Sequence, residues 1–190
     1  MSAFLTDGVV SLRPIQRADL PQLAAWRNDP ELRQRTREWR PLTDADQEAW
    51  YQGISGRARR DLMFVVEYVR VSGSDLLGRA ELSRHSIGVV GLCGWDAIDA
   101  TAEISFYVGD ESARGKGYTK AALRLLIAWG FQSMRLDRIW AEAYDFNAPS
   151  HAVLRSLGFI EEGRLRSHVW KNGQRCDSLM FGLLKGEWHG

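Results

Sequence analysis

Cysteine is scarce. The 190-residue chain has two, Cys93 and Cys176, far apart and without CxxC spacing. A disulfide framework or a zinc site needs more ligands than this, so the sequence predicts reduced thiols, no metal and a cytoplasmic setting. Long apolar runs are missing as well. No stretch reaches the roughly 18 residues of a membrane span, and Met1 to Val10 lacks the charged segment and apolar run of a secretory leader. Nor does charge of one sign prevail. The formal net charge is +1, too little for a global field that would draw nucleic acid or an anionic membrane. The local cluster Arg57, Arg59 and Arg60 reads as a solvated loop face. No repeat or linker divides the chain, so one domain over 1–190 is expected, long enough to bury a core without staples.

What is present is a succession of strand and helix signals. Gly8 to Pro14 reads as a first strand that Pro14 ends. Asp19 is placed as N-cap of a helix carrying Leu20, Leu23, Ala24 and Trp26, which Asn28-Asp29-Pro30 punctuates. A second helix begins near Thr43, with acidic residues in its first turn and Trp50 and Ile54 on one face. Strands are expected at Leu62 to Val71, Ile87 to Trp95 and Ala102 to Val108. In the last of these Glu103, Ser105 and Tyr107 alternate with Ile104, Phe106 and Val108. The polar segment Ser72 to Ser86 is long for a hairpin loop, and is either an extended strand end or a mobile flap. Thr119 to Met134 is the clearest helix, its apolar face made by Ala122, Leu125, Leu126 and Trp129. Arg138 to Tyr144 returns as a strand and Pro149 to Leu157 as a helix stopped by Gly158. The tail is a hairpin, Arg164 to Lys171 and Gln174 to Leu184, around Asn172-Gly173. The class is mixed α/β.

The chemistry concentrates in Arg114-Gly115-Lys116-Gly117-Tyr118-Thr119, between a strand and the long helix. Such a turn aims several backbone N–H groups and the positive end of a helix dipole at one place. Its glycines let an anion approach the main chain, and Arg114, Lys116 and Lys120 add charge, so a pyrophosphate is the natural ligand. A Walker A string is absent, and a dinucleotide fingerprint would need three spaced glycines early in a βαβ unit.

On this loop the chain resembles the GNAT superfamily of N-acetyltransferases, whose acetyl-CoA signature is Gln/Arg-x-x-Gly-x-Gly/Ala. Arg114 and Gly117 match; Thr119 replaces the usual small final residue. Asn147, Ser150 and Leu157-Gly158-Phe159 follow at the family's distance. Glu162-Gly163, Asn172-Gly173, Asp177 and Glu187-Trp188 are similar to the branch that acetylates ribosomal-protein N-termini. The similarity runs from about Val10 to Trp188 and is densest after Val90.

The resemblance implies a single domain on a mostly antiparallel twisted sheet, splayed in the middle, with about four flanking helices and a C-terminal hairpin. It implies acetyl-CoA as co-substrate and direct attack of a primary amine, on a protein N-terminus or a small molecule, without an acyl-enzyme. Backbone groups of Phe106, Tyr107 and Val108 would pair with pantetheine, and the N–H groups of Gly115 to Thr119 would hold the pyrophosphate beside Arg114. Asn147 and Ser150 would face the cofactor arm, unless Asn147 is simply a helix cap. Glu103 leads as general base, through a water; pairing with an arginine or lying on a solvent edge is the competing reading. Many members carry a tyrosine as acid where this chain has Leu154, which leaves Ser150 as the fallback proton donor. His151 is expected on a solvated helix face. Trp26, Arg27, Trp50, Tyr144 and Trp170 are the candidates for acceptor contact, with core packing as the bland alternative for each tryptophan. Arg27 points to a carboxylate or phosphate on the acceptor. At pH 7 a lysine-like amine costs about 4–5 kcal/mol to deprotonate and an α-amino group only about 1 kcal/mol. Leu154, Thr119 and Lys120 suggest the alternative of a non-catalytic acyl-CoA-binding or regulatory protein of the same fold. A homodimer is expected by family analogy.

Overall fold

Alternating apolar residues from across the chain meet in one open sheet. The computed structural model describes residues 3–56, 59–74 and 80–190. Arg57 of the basic cluster and positions 75–79 of the polar segment lie outside the described residues. Among the described residues there are eight strands and five α-helices. The strands are β1 (Leu5–Thr6), β2 (Val10–Pro14), β3 (Leu62–Ser74), β4 (Ala80–Asp96), β5 (Thr101–Val108), β6 (Arg138–Tyr144), β7 (Ile160–Lys171) and β8 (Gln174–Leu184). They lie in the order β1-β2-β3-β4-β5-β6-β8-β7. Every neighbouring pair is antiparallel except β5 and β6. The polar segment resolves as strand on both of its described sides, with Val71 facing Leu82 and Ser74 facing Ala80.

Helix starts follow local chemistry, with two departures from expectation. Helix α3 (Asp44–Ser55) opens as read: the Thr43 hydroxyl accepts the Asp46 N–H at 3.2 Å, and the Asp46 carboxylate accepts the Thr43 N–H at 2.8 Å. Helix α1 (Leu20–Asn28) begins at Asp19, but that side chain caps nothing on α1. Its carboxylate accepts the Gln16 N–H at 2.8 Å and both arms of Arg13 at 2.7 and 2.8 Å. Arg13 also reaches Glu67 at 2.7 Å, so this cluster ties the helix to β2 and β3. The Asn-Asp-Pro break starts a further helix, α2 (Pro30–Gln34). There the Asp29 carboxylate accepts the Leu32 N–H at 2.9 Å, and Pro30 fills the first-turn position where no donor is needed.

Helix α4 (Tyr118–Gln132) makes the crossover between the parallel pair. It lays Ala122, Leu123, Leu126, Ile127 and Phe131 on the sheet against Leu92, Ile104, Ile139 and Phe181. Each such side chain contributes about 1.5–3 kcal/mol by leaving water. Leu125 and Trp129, expected on this face, sit at its margin, where Trp129 meets Phe4 and Phe64 edge-on. The opposite face of the sheet carries a smaller core of Ile15, Leu20, Leu23, Val65 and Val89 under α1 and α3. Helix α5 (Ala148–Ser156) follows β6 directly.

One irregularity positions everything that follows. The β5–β6 pairing consists of three residue pairs: Thr101 with Arg138, Ala102 with Ile139 and Glu103 with Trp140. Beyond Glu103 the two strands part. Residues 104–108 keep β4 as a partner on one side and have no strand on the other.

Candidate active site

The parting opens a cavity of about 240 Å³. Glu103 to Tyr107 of β5 and Ala141 to Tyr144 of β6 form its sides, and Asn147, Ser150 and Leu154 close one end. Arg27 of α1, Trp50 of α3 and the loop Arg35 to Glu38 stand over it.

At the far end of β5 the glycine loop leads into α4. Gly115 and Gly117 have φ of 73° and 81°, a conformation strained for any residue with a side chain. A Cβ at either position would touch nothing, so the loop backbone faces open space. Gly117 occupies the N-cap position of α4 and offers no side chain to its free first-turn N–H groups. The Tyr118 ring is turned away onto Tyr68, at 4.9 Å between centroids. An uncapped fifteen-residue helix with an open glycine turn is a fitting cradle for a pyrophosphate. Arg114 stands beside it, with its guanidinium held by Glu111 at 3.0 Å and Glu31 at 3.5 Å. Asn147 is buried at the N-cap position of α5, yet it makes no side-chain capping bond. With Ser150 it lines the cavity instead.

The cavity wall also carries a cation between two carboxylates. Arg37 donates to both oxygens of Glu103 at 2.5 and 2.9 Å and to Glu142 at 2.8 Å. Both glutamates are largely buried while Arg37 is over half exposed. Glu142 also accepts from the Ser178 hydroxyl at 2.6 Å, and His168 Nδ1 lies 2.9 Å from that hydroxyl and 3.3 Å from the carboxylate. Burial alone would raise the Glu142 pKa, but the Ser178 hydroxyl and Arg37 more than offset it and hold the carboxyl below its ordinary range. Arg37 is pushed up in turn, chiefly by its bond to Glu103 against the effect of burial. Glu103 thus pairs with an arginine, one of the two settings weighed against its reading as a base.

The remaining candidates separate. Arg27, Trp50 and Tyr144 line the cavity. Tyr144 stands in its wall, where its hydroxyl and Lys171 Nζ both donate to the Thr36 carbonyl, at 3.4 and 2.6 Å. Trp26 does not line the cavity; its indole lies on Gly109, within 2.0 Å of where a Cβ would stand. Trp170 is 63% exposed on the hairpin, under Arg175. His151 is buried rather than solvated, because its Nε2 bonds the Tyr144 carbonyl at 2.9 Å and its ring packs on Phe181. Arg37, Glu142 and Ser178 were not readable as site residues. Alternation does place Glu142 on the face of Trp140, which is in register with Glu103, but that register shows only in the sheet.

Cys93 also lines the cavity, 3.6 Å from the Met63 sulfur. Burial, then the charges of Asp61 and Glu103, push its thiol up to about 12. At neutral pH this leaves on the order of one thiolate in 10⁵ molecules, too few for a nucleophile. Cys93→Ala is expected to keep kcat within about threefold, and iodoacetamide at pH 7 to leave the enzyme active. Stoichiometric acetylation of Cys93 during turnover would contradict this.

A family model, the acetyltransferase (GNAT) domain, matches residues 10–160. The chain belongs to the GNAT acetyltransferase family. It is 32% identical to uncharacterized N-acetyltransferase p20 of Bacillus licheniformis, over 95% of this chain and 96% of that one. It is 37% identical to "Putative ribosomal N-acetyltransferase YdaF" of Bacillus subtilis (strain 168), over 54% of this chain and 56% of that one. In fold it is similar to spermidine N-acetyltransferase from Vibrio cholerae in complex with CoA and spermine, with a TM-score of 0.80 at 20% identity, covering 97% of this chain and all of that one. This GNAT enzyme is therefore an N-acetyltransferase that moves an acetyl group from acetyl-CoA to an amine. None of its described helices is long and apolar enough to cross a membrane.

Proposed function

We propose that the acceptor is the α-amino group of a peptide or protein, and that Glu103 and Ser150 manage the protons. The observation that carries this reading is the clamping of Glu103 and Glu142 by Arg37. A carboxylate with both oxygens already bonded to a guanidinium takes up a proton only in competition with that cation. It suits an amine that costs about 1 kcal/mol to deprotonate at neutral pH and serves poorly for one that costs about 4–5 kcal/mol. The name of YdaF, which refers to the ribosome, agrees with an N-terminal acceptor.

In this reading the open edge of β5, Phe106 to Val108, takes the pantetheine arm. Arg114 to Thr119 take the pyrophosphate, and Asn147 and Ser150 face the arm. The amine nitrogen bonds to the acyl carbon as the carbon–sulfur bond breaks. Its proton passes through a water to Glu103, and Ser150 protonates the departing sulfur. Both cysteines are free thiols, which fits a reducing compartment, and we place the reaction in the cytoplasm.

The test compares kcat/KM for a peptide with a free N-terminus, the same peptide N-blocked with an internal lysine, and spermidine. The free N-terminus is expected to lead by at least about tenfold at pH 7, rising with pH until the amine is neutral near pH 8. Equal or better use of spermidine would overturn the assignment.

A further inference from the structure

We infer that the cavity contains a second recognition point, an anion subsite made by the Arg27 guanidinium and the Tyr107 hydroxyl, which selects acceptors with an acidic side chain close to the reacting amine. The inference takes the α-amino reading above and narrows it to a sequence class.

The charges in the cavity are unevenly committed. Glu103 and Glu142 share Arg37, Glu38 is spent on Arg40, and the Asp61 carboxylate accepts the Gly94 N–H at 2.8 Å. Arg27 lines the same cavity, and among the described residues no carboxylate pairs with it. What it has is Trp50, whose ring lies 5.5 Å under the guanidinium. An indole face holds a guanidinium in place without neutralising it, so the N–H fork stays available for a planar anion.

Its setting is fixed from the other side too. Trp26, next in the chain, is seated on Gly109, where any side chain would collide with the indole. The end of α1 is thereby keyed to the end of β5, two residues from Tyr107.

Tyr107 supplies an independent sign. Tyr107 lines the cavity and packs against the small core under α1, and its hydroxyl is buried with no hydrogen-bond partner among the described residues. Buried polar groups in folded proteins are nearly always paired, and an orphan in a site marks a place that a ligand completes. Burial pushes the phenol above its ordinary range, with the nearby charge of Arg27 pulling the other way. It is therefore a neutral O–H donor beside a cation. A carboxylate settling on Arg27 would give that donor an acceptor once the Tyr107 side chain swings about its Cα–Cβ bond, and two kinds of donor would then converge on it.

The result is a cavity that is polar along its length. Glu103 and Glu142 are held by Arg37, while Arg27, on α1, has no carboxylate partner among the described residues. A polycation meets Arg27 unfavourably, whereas a peptide with a free amine and a nearby carboxylate matches both ends.

Hexapeptides with free N-termini and Glu, Gln or Lys at the second position test this. The wild type is expected to prefer Glu over Gln by at least fivefold in kcat/KM, through KM, with Lys poorest. In Arg27→Met that ratio is expected to fall to within twofold of one, Arg27→Lys to keep part of it, and Tyr107→Phe to reduce it. Thermal melts show whether each variant is folded. If Arg27→Met fails to fold, the Arg27→Lys and Tyr107→Phe ratios carry the test.

A second readout does not depend on turnover. An N-acetylated Glu peptide is expected to raise the melting temperature of the wild type more than its Gln twin, with that advantage reduced in Arg27→Lys and Tyr107→Phe and lost in Arg27→Met. Acetylation of all three peptides at equal efficiency would overturn the subsite while leaving the α-amino reading standing. Binding of the blocked Glu peptide with acetylation of none would overturn the α-amino reading and leave the subsite.

Discussion

Glu103→Gln is expected to lower kcat by about two orders of magnitude, the low end for a general base, while leaving the affinity for acetyl-CoA near that of the wild type. The size follows from what the side chain does in the proposed reaction. It collects the amine proton as the carbon–nitrogen bond forms, and an amide of the same shape cannot. Glutamine also keeps an oxygen for Arg37, so the loop that carries Arg37 stays in place and the loss can be read as chemistry. Glu142→Gln is the comparison. Glu142 touches the same guanidinium at 2.8 Å, but it is also bound to Ser178 and stands below its ordinary pKa. Its loss should cost about tenfold or less, through the position of Arg37. Single-turnover rates with saturating acetyl-CoA measure both. A Glu103→Gln enzyme with kcat within threefold of the wild type would remove Glu103 from the chemistry.

Gly88→Ala should be the most damaging single methyl group in the sheet. Gly88 faces Val108 across the β4–β5 ladder, and a Cβ there would stand 2.2 Å from the Tyr107 carbonyl oxygen and 3.1 Å from the Val108 Cα. Both are main-chain atoms, so no side chain can swing aside; the end of β5 must move. The Ile87 carbonyl beside it accepts the N–H groups of Gly109 at 2.9 Å and Asp110 at 3.1 Å, which fixes the turn toward the glycine loop. Overpacking of this kind costs about 3 kcal/mol or more, roughly 6–12 °C in melting temperature for a chain of this length. Because the displaced segment borders the cradle, affinity for acetyl-CoA should fall along with stability. Calorimetric melts with and without CoA separate the two effects, and a melting point within 2 °C of the wild type would refute the expected clash.

The glycine turn and the helix behind it were readable in the sequence because both are set by local residues. Gly115 and Gly117 announce a turn, and Ala122, Leu126 and Phe131 announce a helix behind it, whatever the rest of the chain does. The acceptor half was not readable in the same way. It depends on Arg37, in a loop with no periodicity, reaching 66 residues along the chain to Glu103 and 105 to Glu142. Strand positions fixed which face Glu103 and Glu142 occupy, but not that one guanidinium would serve both. Asp19 shows the same limit at small scale. Its place at a helix start was evident, while its engagement by Arg13, which also reaches Glu67 of the neighbouring strand, was not. Trp26 and Trp50 were indistinguishable as aromatic residues on helices. Only the absence of a side chain at Gly109 separates the one that seats in a notch from the one that lies under Arg27.

The forked sheet has a consequence for how the protein avoids sticking to its neighbours. A strand edge with unpaired main-chain groups ordinarily invites any passing extended polypeptide, and proteins blunt such edges with charge, bulges or cover. Here the bare edge of β5 lies between β4 and β6, in the interior of the sheet rather than at its rim. A passing chain must enter between two strands of one sheet to reach it, so the position of the bare edge stands in for the charge or cover that a rim strand would need.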